Sequence, residues 1–142
     1  MTNTKAIKEL ETTIANFLGR ESNRVSLGDA QDMYEGFVQC AIWAQGIEQH
    51  HITTDRLTEL SIIRDCIAFI ALNASLIETF LDDMPNVTME DLGHNFYLER
   101  NGCGTGFWDR DWGLAGERFS KTSEYFKEIH LDMYKGCLVG MV

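Results

Sequence analysis

Proline occurs once in the 142 residues, at Pro85, so an obligatory helix break is expected at only one place. Long apolar runs are missing too. Asn73, Ser75 and Glu78 interrupt the most apolar segment, and nothing approaches the roughly 18 residues of a membrane-spanning helix, so no membrane span is expected. The opening MTNTKAIKELETT has no apolar signal core, which gives the expectation of an intracellular, cytoplasmic protein. No two of the four cysteines form a CxxC pair. Cys40, Cys66, Cys103 and Cys137 lie 26, 37 and 34 positions apart, which argues against a zinc knuckle or a disulfide framework and for reduced thiols. Positive charge is scarce, with 12 bases against 22 acids and a net charge of −10. From Asp65 to Glu99 there are seven acids and no lysine or arginine. Such a chain repels nucleic acid and complements a basic surface on another protein. With no Gly-, Ser- or Pro-rich linker and no repeat, one domain over residues 1–142 is expected, divided into a helical part (1–84) and a second part (85–142).

Helical periodicity fills the first part. Ile7, Leu10, Ile14, Phe17 and Leu18 share one face, and Gly19 ends that helix. Ser26, with Asp29 three residues on, caps a second helix striped by Ala30, Met33, Tyr34, Phe37, Ala41 and Ala44, which ends between Gly46 and His51. Thr53 or Thr54 caps a third. Its apolar positions Leu60, Ile63, Ile67, Ile70, Ala74, Ile77 and Leu81, flanked by a second apolar set, predict one long central helix over 55–83, covered on several sides. Pro85 pushes the preceding residue out of the helical region, so the break falls near Asp83 or Met84.

In the second part the period changes to two. Asn95, Tyr97 and Glu99 alternate with Phe96, Leu98 and Arg100, and Asn101-Gly102 is a hairpin-turn signal. Gly104 to Trp108 is the expected return strand. Ala115, Phe119, Thr122, Phe126 and Ile129 mark a helix, and HLDMYKGCLVGMV reads as two short strands about Lys135-Gly136. The expected fold is α+β: three helices, the central one long, packed with a small ββαββ unit.

Residues 93–109, GHNFYLERNGCGTGFWD, carry four glycines and four aromatics. The stretch resembles a GHDFWLTRNGHGAGFWD-like signature of small tailed-phage and prophage proteins, in which a helix and a DLYVGDDG-like strand follow. Gly93, His94, Phe96, Leu98, Arg100, Asn101, Gly102, Gly104, Gly106, Phe107, Trp108 and Asp109 match it, and Leu131, Asp132 and Tyr134 fit the later strand. Asn95, Tyr97 and Cys103 depart from it, so the second histidine of the signature is absent here. The resemblance covers about the last third of the chain. It implies a phage context and no particular reaction.

Three functional readings follow. The first is a non-enzymatic accessory protein that binds a host or defence protein. Its spaced carboxylates, Glu78, Asp82, Asp83, Glu90 and Asp91, would stand in for DNA phosphates, with Trp112 as an exposed aromatic contact. The second is a small-ligand or nucleotide binder using the Gly/aromatic hairpin 93–109. That stretch lacks the GxxxxGK[ST] of a phosphate loop, and structural glycine is favoured. The third is a small enzyme with His94 as base, oriented by Asp109 or Asp111, and Arg100 holding an anion. No metal or cofactor is expected, since His50-His51 are adjacent and have no HExxH spacing. A homo-oligomer is compatible with the sequence.

Overall fold

The computed structural model describes residues 4–19, 25–46, 53–134 and 137–141. His50-His51 and the Lys135-Gly136 connection lie outside these residues. The chain is α+β. The element order is α1 (Thr4–Leu18), α2 (Leu27–Ala44), β1 (Thr53–Thr54), α3 (Arg56–Leu72), α4 (Ala74–Asp83), α5 (Met89–Arg100), a 3-10 turn (Phe107–Asp109), α6 (Gly113–Ser123), β2 (His130–Tyr134) and β3 (Cys137–Met141). The sheet has the order β1-β3-β2. β1 runs parallel to β3, and β2 pairs with β3 antiparallel, with Leu131 opposite Gly140.

Several local expectations hold. Ser26 caps α2 by accepting from the Asp29 N–H at 3.0 Å. Helix α4 stops at Asp83, two residues before the proline, and the last two strands form an antiparallel pair. Asp55, rather than a threonine, caps α3, and Thr53–Thr54 pair with β3 instead.

Two larger expectations fail. The central helix is two helices, α3 and α4, which bend by 81° at Asn73. That buried side chain donates to the Phe69 carbonyl at 2.9 Å and accepts from the Thr122 hydroxyl at 3.2 Å. The amide thus satisfies the elbow locally and ties it to α6. No single helix among the described residues is long and apolar enough to cross a membrane.

The expected hairpin over 93–109 is the helix α5 followed by a loop and the 3-10 turn, so the ββαββ unit does not form. Thr88 and Asp91 start α5 with a capping box. The Thr88 N–H donates to the Asp91 carboxylate at 3.0 Å, and the Asp91 N–H to the Thr88 hydroxyl at 3.2 Å. Asn101-Gly102 ends the helix. Gly102 has φ +60, the Cys103 N–H returns to the Leu98 carbonyl at 3.1 Å, and the Gly102 N–H returns to Glu99 at 3.4 Å. These are the two bonds of a Schellman motif, which needs the same left-handed residue as a hairpin turn. Period two misled because Leu92, Asn95, Phe96, Tyr97 and Leu98 are all buried, so α5 has no single apolar stripe.

Packing centres on Phe69. Its ring centroid lies 4.9 Å from Phe96, 5.5 Å from Phe107 and 5.7 Å from Phe119, and all four side chains are fully buried. Ile63, Ile67, Ile70 and Ile77 are buried as expected, while Leu81 is half-buried. Helices α2 and α5 touch backbone to backbone. A Cβ on Gly36 would lie 2.0 Å from the Glu90 carbonyl oxygen, and one on Gly93 would lie 1.8 Å from that of Met33.

Neither backbone can yield without separating the helices, so Gly93→Ala is expected to lower stability by about 2 kcal/mol or more in urea unfolding. Gly28→Ala is the control. In the first turn of α2 its added methyl meets nothing closer than the Ser26 hydroxyl at 3.9 Å, and it is expected to be neutral or stabilising by up to about 1 kcal/mol. Equal losses in the two variants would disprove the close crossing.

Candidate functional site

The elbow between α3 and α4 opens onto a groove of about 640 Å³. Ile70, Ala74, Ile77, Leu81 and Met89 supply its apolar walls, and Asp29, Glu78 and Asp82 its polar lining. None of these lining residues is basic. Glu78 and Asp82 stand one turn apart on α4 and are exposed, whereas Asp29 reaches the groove from the first turn of α2. A stripe of acids continues along α2, because Asp29, Asp32 and Glu35 follow one another at spacings of three. At its far end the carboxylate oxygens of Asp32, Glu35 and Glu90 all lie within 4.8 Å of one another. Oxygen-only donors suit a hard cation such as calcium or magnesium. Asp32 and Glu35 are exposed, however, and acids so placed are commonly found without an ion, so the triplet alone does not define a metal centre.

Glu90 is placed there by the helix crossing. Gly36 follows Glu35 directly, and its missing side chain lets the Glu90 backbone settle on α2. The acids are therefore gathered by α2, α4 and α5. Of those singled out from sequence, Glu78, Asp82, Asp83 and Asp91 are exposed and Glu90 is half-buried. Asp91 also serves the α5 capping box. Sequence reading missed Asp29, Asp32 and Glu35. Their shared spacing on a helix without lysine or arginine was the available signal.

The candidate catalytic residues find separate partners. His94 is half-buried and faces the Trp43 ring, 6.0 Å between centroids. Burial, reinforced by the nearby Arg110 cation and opposed by Asp91, lowers its pKa below the ordinary histidine value. Arg100 lies six positions further along α5, about 240° around the helix. Its side chain is 4% exposed, and its Nε donates to the Lys127 carbonyl at 2.8 Å. Its Nη2 lies 3.1 Å from the Asp65 carboxylate. The guanidinium also sits over Phe96 at 5.0 Å, and over Phe37 and Phe126 at 5.6 Å. Burial lowers its pKa and Asp65 opposes that shift, yet an arginine so paired remains a cation. Asp109 is exposed and accepts from the Thr105 hydroxyl at 2.9 Å.

Trp112 is half-buried, with its ring 5.0 Å from Phe80. The tryptophans open to solvent are Trp43 and Trp108, 71% and 57% exposed. Within residues 93–109, Gly93, Gly102 and Gly106 serve the backbone. Gly102 ends a helix, and a Cβ on Gly106 would lie 2.6 Å from Glu99 Cγ. Compared with known proteins, the chain matches no family model, and neither a curated protein nor a solved structure is significantly similar to it.

Two measurements follow. Neutral His94 is favoured in the fold, so its stabilising share is complete above the unfolded pKa near 6.5 and is lost as pH falls through the lower folded value. Unfolding free energies of wild type and His94→Gln are expected to differ most steeply with pH just below about 6.5, and a flat difference would contradict the burial of His94. Asp65→Asn strands the buried Arg100 cation and is expected to cost about 3–5 kcal/mol. A loss within 1 kcal/mol would mean that the ion pair is solvated.

Proposed function

We propose that this protein is a non-enzymatic binding protein whose acidic face docks onto a basic surface of another protein. One observation carries the reading. Asp29, Asp32, Glu35, Glu78, Asp82 and Glu90, from three helices, border one groove and the ridge beside it, and among the described residues no basic one lines that groove. Converging like charges focus the local field and accelerate encounter with a cationic partner. The net charge of −10 disfavours direct nucleic-acid binding. The resemblance of residues 93–109 to tailed-phage proteins supports a phage-encoded accessory role in the host cytoplasm. The partner would then be a host or defence protein whose basic groove normally holds DNA. The separate surroundings of His94, Arg100 and Asp109 speak against a catalytic centre built from them.

The test combines Asp29→Asn, Glu78→Gln and Asp82→Asn. Thermal stability is expected to change little, because the favourable charge lost at the start of α2 (Asp29) is offset by the unfavourable one removed from the end of α4 (Asp82). In pull-downs from host lysate at ~50 mM and ~500 mM salt, wild type is expected to retain a partner at low salt that high salt and the triple variant both release. Equal retention by the triple variant, or no dependence on salt, would refute the acidic-face reading.

A further inference from the structure

The groove has a property that a purely electrostatic face does not need: its walls are apolar. Ile77 on α4 and Met89 on α5 enclose it, Leu81 is half-buried beside them, and Ala74 is small and half-buried at the elbow. Its volume of about 640 Å³ falls within the roughly 300–1,000 Å³ typical of ligand clefts. A surface that only imitated phosphates would gain nothing from a recess of this kind, since phosphate mimicry requires charges and spacing.

Resting on the acidic-face reading, we propose that this groove is the docking site for a cationic amphipathic helix of a partner protein. An apolar side chain of that helix seats between α4 and α5, while flanking lysines or arginines meet Asp29 on one side and Glu78 and Asp82 on the other. Charge complementarity selects the occupant, because the charged residues lining the groove, among the described residues, are all acidic. Spacing supports a helix. Glu78 and Asp82 are four residues apart on α4, a rise of about 6 Å, which basic residues at i and i+4 of a partner helix reproduce. This is helix-in-groove recognition with apolar anchors at i, i+3, i+4 and i+7.

The test uses the full chain and two fluorescently labelled peptides of identical Lys/Leu composition. One places its leucines at i, i+3, i+4 and i+7, and the other is scrambled so that no apolar face forms. By anisotropy titration at low salt the amphipathic peptide is expected to bind at least ~10-fold more tightly than its isomer. Ala74→Phe, which fills the groove, is expected to reduce that ratio to about 2 or less and leave the affinity for the scrambled peptide unchanged. Leu81→Gln, which removes apolar wall at the half-buried rim without changing the charge, should do the same and stands in should the first variant not fold. The combined Asp29→Asn, Glu78→Gln and Asp82→Asn variant should weaken both peptides. Equal binding of the two isomers, or a ratio that survives both groove variants, overturns the groove proposal and leaves the acidic face standing. Binding of neither peptide overturns both.

Discussion

The rest of the arrangement depends on the contact of α2 with α5, where Gly36 and Gly93 let two backbones meet with no side chain between them. The crossing sets three things at once. It brings the Phe37 ring within 5.8 Å of Phe96 and 5.3 Å of Tyr97, joining the first helices to the aromatic core. It fixes the depth at which α5 lies, so that Phe96 reaches Phe69. It also draws Glu90 toward Asp32 and Glu35. Like charges would keep these three carboxylates apart if nothing else held them. The packing of buried rings outweighs a repulsion that solvent screens at an exposed site. The acidic ridge is thus a consequence of the core, gathered by residues that carry no charge.

The other fixed point is Arg100. It ends α5, pairs with Asp65 on α3 and bonds to the carbonyl of Lys127 in the segment between α6 and β2. One cation therefore joins a helix end, a neighbouring helix and the entrance to the sheet. The three phenylalanines around it offer ring faces, which attract a cation. Burial of the guanidinium makes the pair costly to break, which restricts how α3 and α5 sit relative to each other. Within residues 93–109 this arginine thus has a structural role.

Legibility from sequence followed the range of the interaction. The cap at Ser26, the stop before Pro85, the antiparallel end of the chain and the buried isoleucines of α3 were readable, because each depends on residues a few positions apart. The elbow at Asn73 was not. A side chain bonded to its own helix and to Thr122, 49 positions away, needs the tertiary fold to exist first. α5 was lost for a different reason. Its capping box, Thr88 to Asp91, was in plain view, but a helix buried nearly all round loses the periodicity by which helices are recognised. Asn101-Gly102 then fitted a hairpin as well as a helix end, since both use positive φ. The same pattern held at the site. The acids near Pro85 were visible as a run, whereas those on α2 join them only through a glycine crossing that no local rule discloses.

The acids themselves divide by local cause. Asp29 lies in the first turn of α2, and Glu90 and Asp91 in that of α5, where negative charge is favoured by exposed N–H groups and the helix dipole. Fold stability is sufficient to explain them. Asp82 and Asp83 stand at the opposite end of a helix, in the last turn of α4, where the dipole disfavours them and that turn holds no basic residue. Asp82 also lines the groove, beside an apolar wall that gains nothing from a charge. Local rules broken without local compensation concentrate where a surface serves something other than its own folding. The cationic partner proposed above would supply what α4 lacks there: it would neutralise the carboxylates, relieve their conflict with the dipole and cover the apolar wall in one step. Binding would then stabilise the part of the fold that is least satisfied alone, which is the thermodynamic meaning of a site prepared for a partner.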